Sequence, residues 1–362
     1  MADMIFTGGG TGGHLYPALA VADAVKALSP GTQVLFVGTP DRIEARVVPA
    51  SGYAFEAIAA RGLSKHPLQA AKALVMLAGA VLKARALIAR ERPRVVLGTG
   101  GYVSAPVLLA ARLAGVPVVL QEQNVYPGKV NLWIARWART VATSFSGSER
   151  YFPPRELKLL GNPIRTQAFT RPPAAAKAAL GLPPDARILL VTGGSQGARR
   201  INEAIAGLLP RILAETAWHV FHVAGPENLA SLAHLANPRY HLLGYCEQMP
   251  DAILAADLVI SRAGATTLAE LTAVGRPMVL IPYPFAGGHQ RLNAEAIVAA
   301  GAGLEIADGD LTPASLGEAI MPLMGSPERL SGMASASLGL GRPEAAEALA
   351  RILLELAGPA AT

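Results

Sequence analysis

Three times in this chain a short apolar run breaks into glycine and restarts as a helical pattern. Met4-Ile-Phe-Thr-Gly-Gly-Gly-Thr-Gly-Gly-His-Leu-Tyr-Pro17 comes first. Val95-Val-Leu-Gly-Thr-Gly-Gly-Tyr102 and Ile188-Leu-Leu-Val-Thr-Gly-Gly-Ser-Gln-Gly-Ala198 follow. A strand that turns on glycine into a helix is the repeating piece of a parallel sheet covered by helices. The first copy has five glycines within six residues and then His14. Glycines let the backbone turn sharply and approach a ligand closely, and the free N–H groups of a helix start, aided by its dipole, attract an anion. Close helix–strand packing alone does not account for so many glycines followed by an imidazole. The helix itself is expected to open near Pro17, to carry Val21, Ala24, Val25 and Leu28 at helical spacing, and to stop at Ser29-Pro30-Gly31.

Gly8, Gly10 and Gly13 also fit a dinucleotide fingerprint, which wants an acid at the end of the second strand to hold a ribose. Here Val34-Leu-Phe-Val-Gly38 runs into Thr39-Pro40, and acids arrive only at Asp41 and Glu44. That disfavours an NAD-dependent oxidoreductase. The second turn, at Gly98 to Tyr102, would open at the same sheet edge as the first, so both could cradle one diphosphate. Just beyond it, Val118-Val-Leu-Gln-Glu-Gln-Asn124 ends a strand in three amides and a carboxylate, which packing explains poorly; N-capping by Asn124 is the structural alternative.

The remaining strand candidates of the first half are Phe55–Ile58 and Val141–Thr143. Residues Leu68 to Arg90 read as one long helix, apolar on much of its surface and interrupted by Lys72, Lys83, Arg85 and Arg90. It is either a core helix with a solvated basic edge or a helix set against a membrane with its cations toward headgroups. Charge favours an anionic surface. Residues 1–162 hold 18 Lys and Arg against 9 Asp and Glu, whereas the rest hold 14 against 17. No basic cluster interleaved with aromatics points to nucleic acid. A single cysteine, Cys246, excludes a disulfide framework and suits a reducing compartment. The amino terminus lacks the plan of a signal peptide, and no apolar run is long enough to span a bilayer.

At 362 residues there is room for two domains. Leu159-Leu-Gly-Asn-Pro-Ile-Arg165 reads as the exit from the first, and a Pro- and Ala-rich linker over 172–184 precedes the restart at Ile188. Later runs at Trp218–Val223, Tyr240–Leu243, Leu258–Ile260 and Met278–Ile281 continue the alternation. In Ser261-Arg-Ala-Gly-Ala-Thr-Thr-Leu-Ala-Glu270, Arg262 and the N–H groups around Ala265 and Thr266 suit a diphosphate at a helix start. Glu270 could accept both hydroxyls of a ribose, or act only through the helix dipole. The loop Pro282–Gly288 leads to His289, Gln290 and Asn293 at another helix start, and the last helix, Glu344 to Leu356, carries no obvious chemistry.

Seven motifs in one order carry a resemblance. They are Gly9-Gly-Thr-Gly-Gly-His14, Gly100-Gly-Tyr102 with Ser104, Glu122-Gln-Asn124, Gly161-Asn-Pro with Arg165, Gly193-Gly-Ser-Gln-Gly-Ala198, Arg262 to Glu270, and His289-Gln290 with Asn293. Together they span nearly the whole chain, which resembles the MurG family of peptidoglycan transferases. Those enzymes move N-acetylglucosamine from UDP-N-acetylglucosamine to the muramoyl C4 hydroxyl of undecaprenyl-diphospho-muramoyl-pentapeptide. The resemblance implies an α/β fold of GT-B type, with two Rossmann-like domains whose parallel sheets face each other across a cleft. Residues 1–162 would hold the lipid acceptor on the membrane side, 163–340 the UDP-sugar, and 341–362 a terminal helix that packs back on the first domain. Ser195 and Arg165 would hold the donor phosphates, assisted by the helix start at Ala265, Thr266 and Thr267 and its continuation through Leu268 and Ala269. Glu270 would take the ribose diol and the Cys246 backbone the uracil. Gln290 with His289 would read the sugar hydroxyls, where some members carry a Gln-Gln pair, and Asn124 would reach the sugar from the other domain. Thr11, Gly12 and Gly13, in the first glycine turn, would bind substrate. The family's apolar membrane patch is poorer in aromatic residues here.

Displacing UDP from an anomeric carbon needs a base for the incoming hydroxyl and neutralisation of the leaving diphosphate. Helix starts and Arg165 can supply the second, and no His/Cys cluster suggests a metal or other cofactor. His14 suits the base by type, with Glu122 and Tyr102 as competitors. Inversion at the anomeric carbon is the expected course. The setting would be the cytoplasmic face of the cell membrane, beside an anionic lipid surface and other cell-wall synthesis proteins. A UDP-sugar epimerase and a non-catalytic sugar-nucleotide-binding regulator are the alternatives.

Overall fold

A computed structural model describes residues 1–60, 67–153, 156–285 and 288–358, the side chains of 67–74 excepted. Lys72, expected on a basic helix edge, and residues 286–287 of the loop after Met278–Ile281 therefore lie outside the described residues. The chain divides into two compact units, one of residues 1–164 with 343–362 and one of residues 165–342.

The first unit runs β1 (Met4–Gly8), α1 (Gly12–Leu28), β2 (Val34–Gly38), α2 (Ile43–Ala50), β3 (Ala54–Ala57), α3 (Pro67–Glu91), β4 (Val95–Gly100), α4 (Ser104–Leu113), β5 (Val118–Glu122), α5 (Lys129–Ile134), β6 (Thr140–Thr143) and β7 (Leu157–Leu159). Its seven strands are all parallel, in the order β3-β2-β1-β4-β5-β6-β7. The central strands are buried throughout, so they read as continuous Val/Ile/Leu runs without alternation. The order reverses between β1 and β4, and a doubly wound sheet binds ligands at such a switch point, beyond the carboxyl ends of its strands.

The second unit runs α6 (Pro173–Ala179), β8 (Ile188–Thr192), α7 (Arg199–Glu215), β9 (His219–Val223), α8 (Leu229–Leu232), β10 (Tyr240–Leu243), α9 (Met249–Ala255), β11 (Leu258–Ser261), α10 (Ala265–Ala273), β12 (Met278–Leu280), α11 (His289–Ala299), β13 (Gly303–Glu305), α12 (Pro313–Met324) and α13 (Pro327–Leu340). Its six parallel strands take the order β10-β9-β8-β11-β12-β13, with the switch point between β8 and β11. The last helix, α14 (Ala345–Ala357), belongs to the first unit. Its Leu349, Ala350 and Leu353 share a core with Leu15, Leu19 and Val25 of α1 and Met4 of β1.

One element starts elsewhere than the sequence rule suggests. Proline is at home in a first turn, which placed the opening of the first helix near Pro17. The helix instead begins at Gly12, and Pro17 sits inside it. A proline there has no N–H for the Gly13 carbonyl, so the second turn of α1 lacks one intrahelical bond. His14 thus becomes a first-turn residue.

Candidate active site

In the first unit the two glycine turns close the carboxyl ends of the two strands that flank the switch point. Gly8 pairs with Gly100 across a register shift at the end of β1. A Cβ on Gly8 would fall 2.0 Å from the Thr99 hydroxyl, and one on Gly101 would fall 2.7 Å from the Gly9 carbonyl oxygen. The two turns therefore pack backbone on backbone, with Gly10, Gly100 and Gly101 all at positive φ. The Thr99 hydroxyl donates to the His14 carbonyl at 2.8 Å and holds the first turn of α1 against β4. Thr11 is the N-cap residue, yet its hydroxyl makes no capping bond and lies 3.2 Å from His14 Nδ1. The other side of the imidazole rests on Gly100, whose added Cβ would be 3.1 Å from Cδ2 and 3.2 Å from Nε2. Tyr102 stands over Gly10, Cε1 lying 3.8 Å from the Cβ that residue lacks. Gly12 and Gly13 are the first two helical residues, and their N–H groups have no intrahelical acceptor.

Glu122 ends β5, the next strand over, and is buried. Oε1 accepts from the Asn124 backbone at 2.9 Å and its side-chain amide at 3.3 Å. Oε2 accepts from Gly128 N at 3.1 Å and Asn131 Nδ2 at 2.8 Å. A carboxylate has about four lone-pair sites, and four N–H donors fill them. Glu122 is thus the hub that shapes the loop from 122 to 131 and orients Asn124. The N-capping alternative for Asn124 does not hold, because α5 is capped by Gly128. Behind the hub, Gln123 Nε2 donates to the Thr99 carbonyl at 2.6 Å and to Gln121 Oε1, and Gln121 Nε2 donates to Asn162 Oδ1 at 3.1 Å. These amides tie the ends of β4 and β5 to the residues that follow β7.

In the second unit the corresponding edge is built from the loop after β8 and the start of α10. Ser195 is exposed between Gly194 and Gly197, both at positive φ. A Cβ on Gly197 would lie 1.8 Å from the Ala224 carbonyl oxygen, so this loop interlocks with the turn after β9. That carbonyl is fixed by Asn202 Nδ2 at 2.9 Å, and Asn202 Oδ1 lies 3.0 Å from Nε2 of the buried His222. The Tyr240 hydroxyl lies 2.8 Å from His222 Nδ1. Because the Asn202 oxygen can only accept, Nε2 carries the proton and Nδ1 accepts from Tyr240. Across the switch point, α10 opens at Ala265 with Gly264 as its cap. Thr266 and Thr267 complete its first turn, while Leu268 is core and offers the site only its backbone. Ala269 is half-buried, and Glu270, the sixth residue of the helix, lies beyond the turn where the dipole acts. Glu270 is half-buried and has no hydrogen bond or ion pair among the described residues, and burial pushes its carboxyl up to about 7.

The glycosyltransferase family 28 N-terminal domain matches residues 4–143 and the family 28 C-terminal domain residues 188–349. The chain belongs to glycosyltransferase family 28. It is 42% identical to the UDP-N-acetylglucosamine–N-acetylmuramyl-(pentapeptide) pyrophosphoryl-undecaprenol N-acetylglucosamine transferase of Salinibacter ruber, over 98% of this chain and 96% of that one. It is 40% identical to the protein of the same name from Desulforudis audaxviator, over 98% of both. Among solved structures, Acinetobacter baumannii MurG superposes with a TM-score of 0.81 at 28% identity, over 98% of this chain and 99% of that one. The UDP-GlcNAc 2-epimerase of Neisseria meningitidis reaches 0.70 at 14% identity, over 97% and 99%, a likeness of fold alone. The resemblance read from the motifs therefore stands at the level of MurG, and the architecture is the GT-B type of two parallel α/β units.

On this family 28 frame the other expected residues lie as follows. Arg165 is half-buried just after the first unit ends. Cys246 is buried after β10, and burial raises its thiol. Arg262 Nη1 donates to Asp308 at 2.6 Å and to the Ile281 carbonyl at 3.1 Å, and its guanidinium lies 5.5 Å from the Tyr283 ring. It anchors the loop after β12. Asn293 is fully buried and donates to the Ala263 carbonyl at 3.2 Å, bracing the turn into α10. Gln290 Oε1 accepts from Tyr283 N at 3.0 Å, which leaves its NH2 for a ligand, and His289 is half-buried beside it. The sequence reading passed over Asn131, Asn202 and His222. The only available signal was a polar residue interrupting an apolar pattern near a helix start or within a strand.

Proposed function

We propose that this glycosyltransferase moves N-acetylglucosamine from UDP-N-acetylglucosamine to the muramoyl C4 hydroxyl of undecaprenyl-diphospho-muramoyl-pentapeptide, with inversion at the anomeric carbon. The names carried by relatives about 40% identical over nearly their full length support the substrates. The observation that carries the donor assignment is Glu270, a half-buried carboxyl group with no hydrogen bond or ion pair among the described residues, one helical turn past the first-turn N–H groups of α10. A diphosphate on those N–H groups, with Ser195 and Arg165 assisting, would set a ribose diol within reach of two acceptor oxygens. The Cys246 backbone would meet the uracil, and the Gln290 amide and His289 the sugar hydroxyls. Thr266, Thr267 and the backbone from Leu268 to Ala269 complete this wall, and Arg262 and Asn293 brace it.

His14 is the base in this reading. Thr11 orients its Nδ1, and Nε2 is the atom that takes the proton of the incoming hydroxyl. Glu122, filled by four donors, orients Asn124 toward the sugar, and Tyr102 shapes the acceptor side. Charge building on the leaving diphosphate is met by helix N-terminal N–H groups and Arg165, with no metal required. The test is UDP release and sugar transfer with and without lipid-linked acceptor, in the presence and absence of chelator. Acceptor-dependent, chelator-resistant transfer is expected. Donor turnover without acceptor would instead favour the epimerase reading, and UDP binding with no turnover a regulator.

The first unit also carries the features of a peripheral contact with an anionic membrane. No helix among the described residues is long and apolar enough to cross one. Helix α3 buries Ala80, Ala84, Leu87 and Ile88 against the core, while Leu82 and Val75 are 65% and 74% exposed. Leu113 on the neighbouring α4 and Trp133 on α5 are exposed too. Trp133 meets Trp137 edge to face, the Arg112 guanidinium lies 5.9 Å from the Trp137 ring, and a cavity of about 570 Å³ opens between Arg112, Trp137 and Arg139. The sequence offered no basic cluster interleaved with aromatics, but the fold gathers Arg112, Trp133, Trp137 and Arg139 on one face, and such a mixture suits a headgroup layer.

A further inference from the structure

The acid missing from the end of the second strand arrives by another route. Glu44 is the second residue of α2, and it is 1% exposed. Its Oε1 accepts from Thr39 N at 3.1 Å and the Thr39 hydroxyl at 2.7 Å, and its Oε2 accepts from Gly10 N at 3.1 Å. Among the described residues no cation pairs with it. Burying a carboxylate without a counter-charge is costly, and only the three donors and the start of α2 offset that cost. The backbone is fitted to this side chain on both sides. A Cβ on Gly9 would fall 2.5 Å from Glu44 Cδ, and one on Gly38 would fall 2.5 Å from its Cγ. On the far face of the same turn, the Gly9 carbonyl oxygen lies 2.7 Å from the Cβ position of Gly101, and the next glycine, Gly100, carries the His14 imidazole. The layers run from Glu44 through Gly9 and Gly10 to Gly100, Gly101 and the imidazole.

We propose that Glu44 is a positioning residue for the transfer, acting through the first glycine turn; this rests on the reading of His14 as the base. By holding the Gly10 N–H from beneath, it fixes a residue at φ +81 and so fixes Thr11, whose hydroxyl orients His14 Nδ1. It also removes the Gly10 N–H from those open to a phosphate, which leaves Gly12 and Gly13 as the donors of the helix start. Hydrophobic packing beneath the turn would stabilise the fold as well, without setting which N–H groups face the ligand.

The test compares the unsubstituted protein, E44Q and T39V in steady-state transfer and in thermal unfolding. E44Q keeps the volume but sets an amide against donors. It should lower kcat at least tenfold, leave the donor KM within twofold, and displace the acid limb of the kcat–pH profile. T39V removes one donor from the same carboxylate and leaves Gly10 engaged. It should lower the thermal midpoint yet hold kcat within twofold. Equal midpoint losses with kcat unchanged in E44Q would overturn the proposal, as would a T39V loss matching that of E44Q. If E44Q does not fold, amide exchange in the unsubstituted protein decides: Gly10 should exchange at least 100-fold more slowly than Gly12, and equal rates would sink the idea. Failure of the unsubstituted protein to transfer sugar would count against the proposed function instead, so the two failures are separable.

Discussion

Glu270 joins a half-buried position to a carboxyl lifted to about 7 by desolvation. Its folded value lies above its unfolded one, so the folded state keeps a proton that the unfolded chain gives up between about 4.5 and 7. The stability it contributes is therefore complete below that window and is lost as pH rises through 7. In the nucleotide-free protein the thermal midpoint should fall more steeply from pH 5 to 7.5 than in Glu270→Gln, a difference that melting curves of the two proteins would read. Ribose hydroxyls donate to the ionised form, so UDP-N-acetylglucosamine should expel the proton. Affinity should then rise from pH 6 to 8, and the binding heat at pH 6.5 should vary with the ionisation enthalpy of the buffer. A buffer-independent heat would remove Glu270 from the donor site. Glu270→Ala should raise the donor KM by ~10- to 100-fold, because a hydrogen bond to a charged group contributes ~1.5–3 kcal/mol.

At the scale of elements, the donor loop after β8 is set from behind by β9, β10 and α7. His222 sits in a fully buried strand position, and burial drives its imidazole down to about 4, so it stays neutral across the working range. His222→Phe would leave the Asn202 oxygen and the Tyr240 hydroxyl without their partner. Unfolding in urea should show a loss of ~2–6 kcal/mol, from two buried polar groups at ~1–3 kcal/mol each, together with a raised donor KM. An unchanged KM would mean that the loop does not depend on this network. The same elements show what a sequence can and cannot convey. The strands and glycine turns at both switch points were legible because they are local, each an apolar run followed within a few residues by glycine. Strands β7 and β13 escaped, since Leu157-Lys-Leu and Gly303-Leu-Glu are three-residue edge strands with no apolar run, and α12 and α13 went unread. The start of α1 was misplaced because a proline rule outweighed the glycines before it. Glu44, Asn131, Asn202 and His222 stayed hidden for a different reason. Their meaning lies in partners 34, 9 and about 20 residues away, brought near only by the sheet.

At the scale of the whole chain, the first unit is closed by residues from the far end of the sequence. Leu353 is fully buried on α14 against α1, and Arg94 donates to the carbonyls of Ala357 and Gly358 at 3.1 and 3.0 Å. Leu353→Ala should cost ~2–5 kcal/mol, as for a core leucine whose cavity cannot collapse, and a fragment ending at Ile164 should fold poorly without the helix supplied in trans. This unit carries the excess of positive charge, and its exposed Trp133 meets Trp137, which lines a cavity with Arg112 and Arg139. Two attractions would then hold it to a membrane, and they respond differently to salt. Cations near an anionic surface contribute ~1 kcal/mol each, an attraction that decays within a Debye length. Burial of an indole in the interface persists at any ionic strength. Co-sedimentation with vesicles containing phosphatidylglycerol should therefore be strong at 0.1 M salt and fall by at least tenfold, without vanishing, at 1 M. Reversing both Arg112 and Arg139 to Glu should lower it at 0.1 M alone, whereas Trp133→Ser should lower it at both. Equal binding to neutral vesicles, insensitive to salt and to all three substitutions, would mean that this face meets something other than lipid.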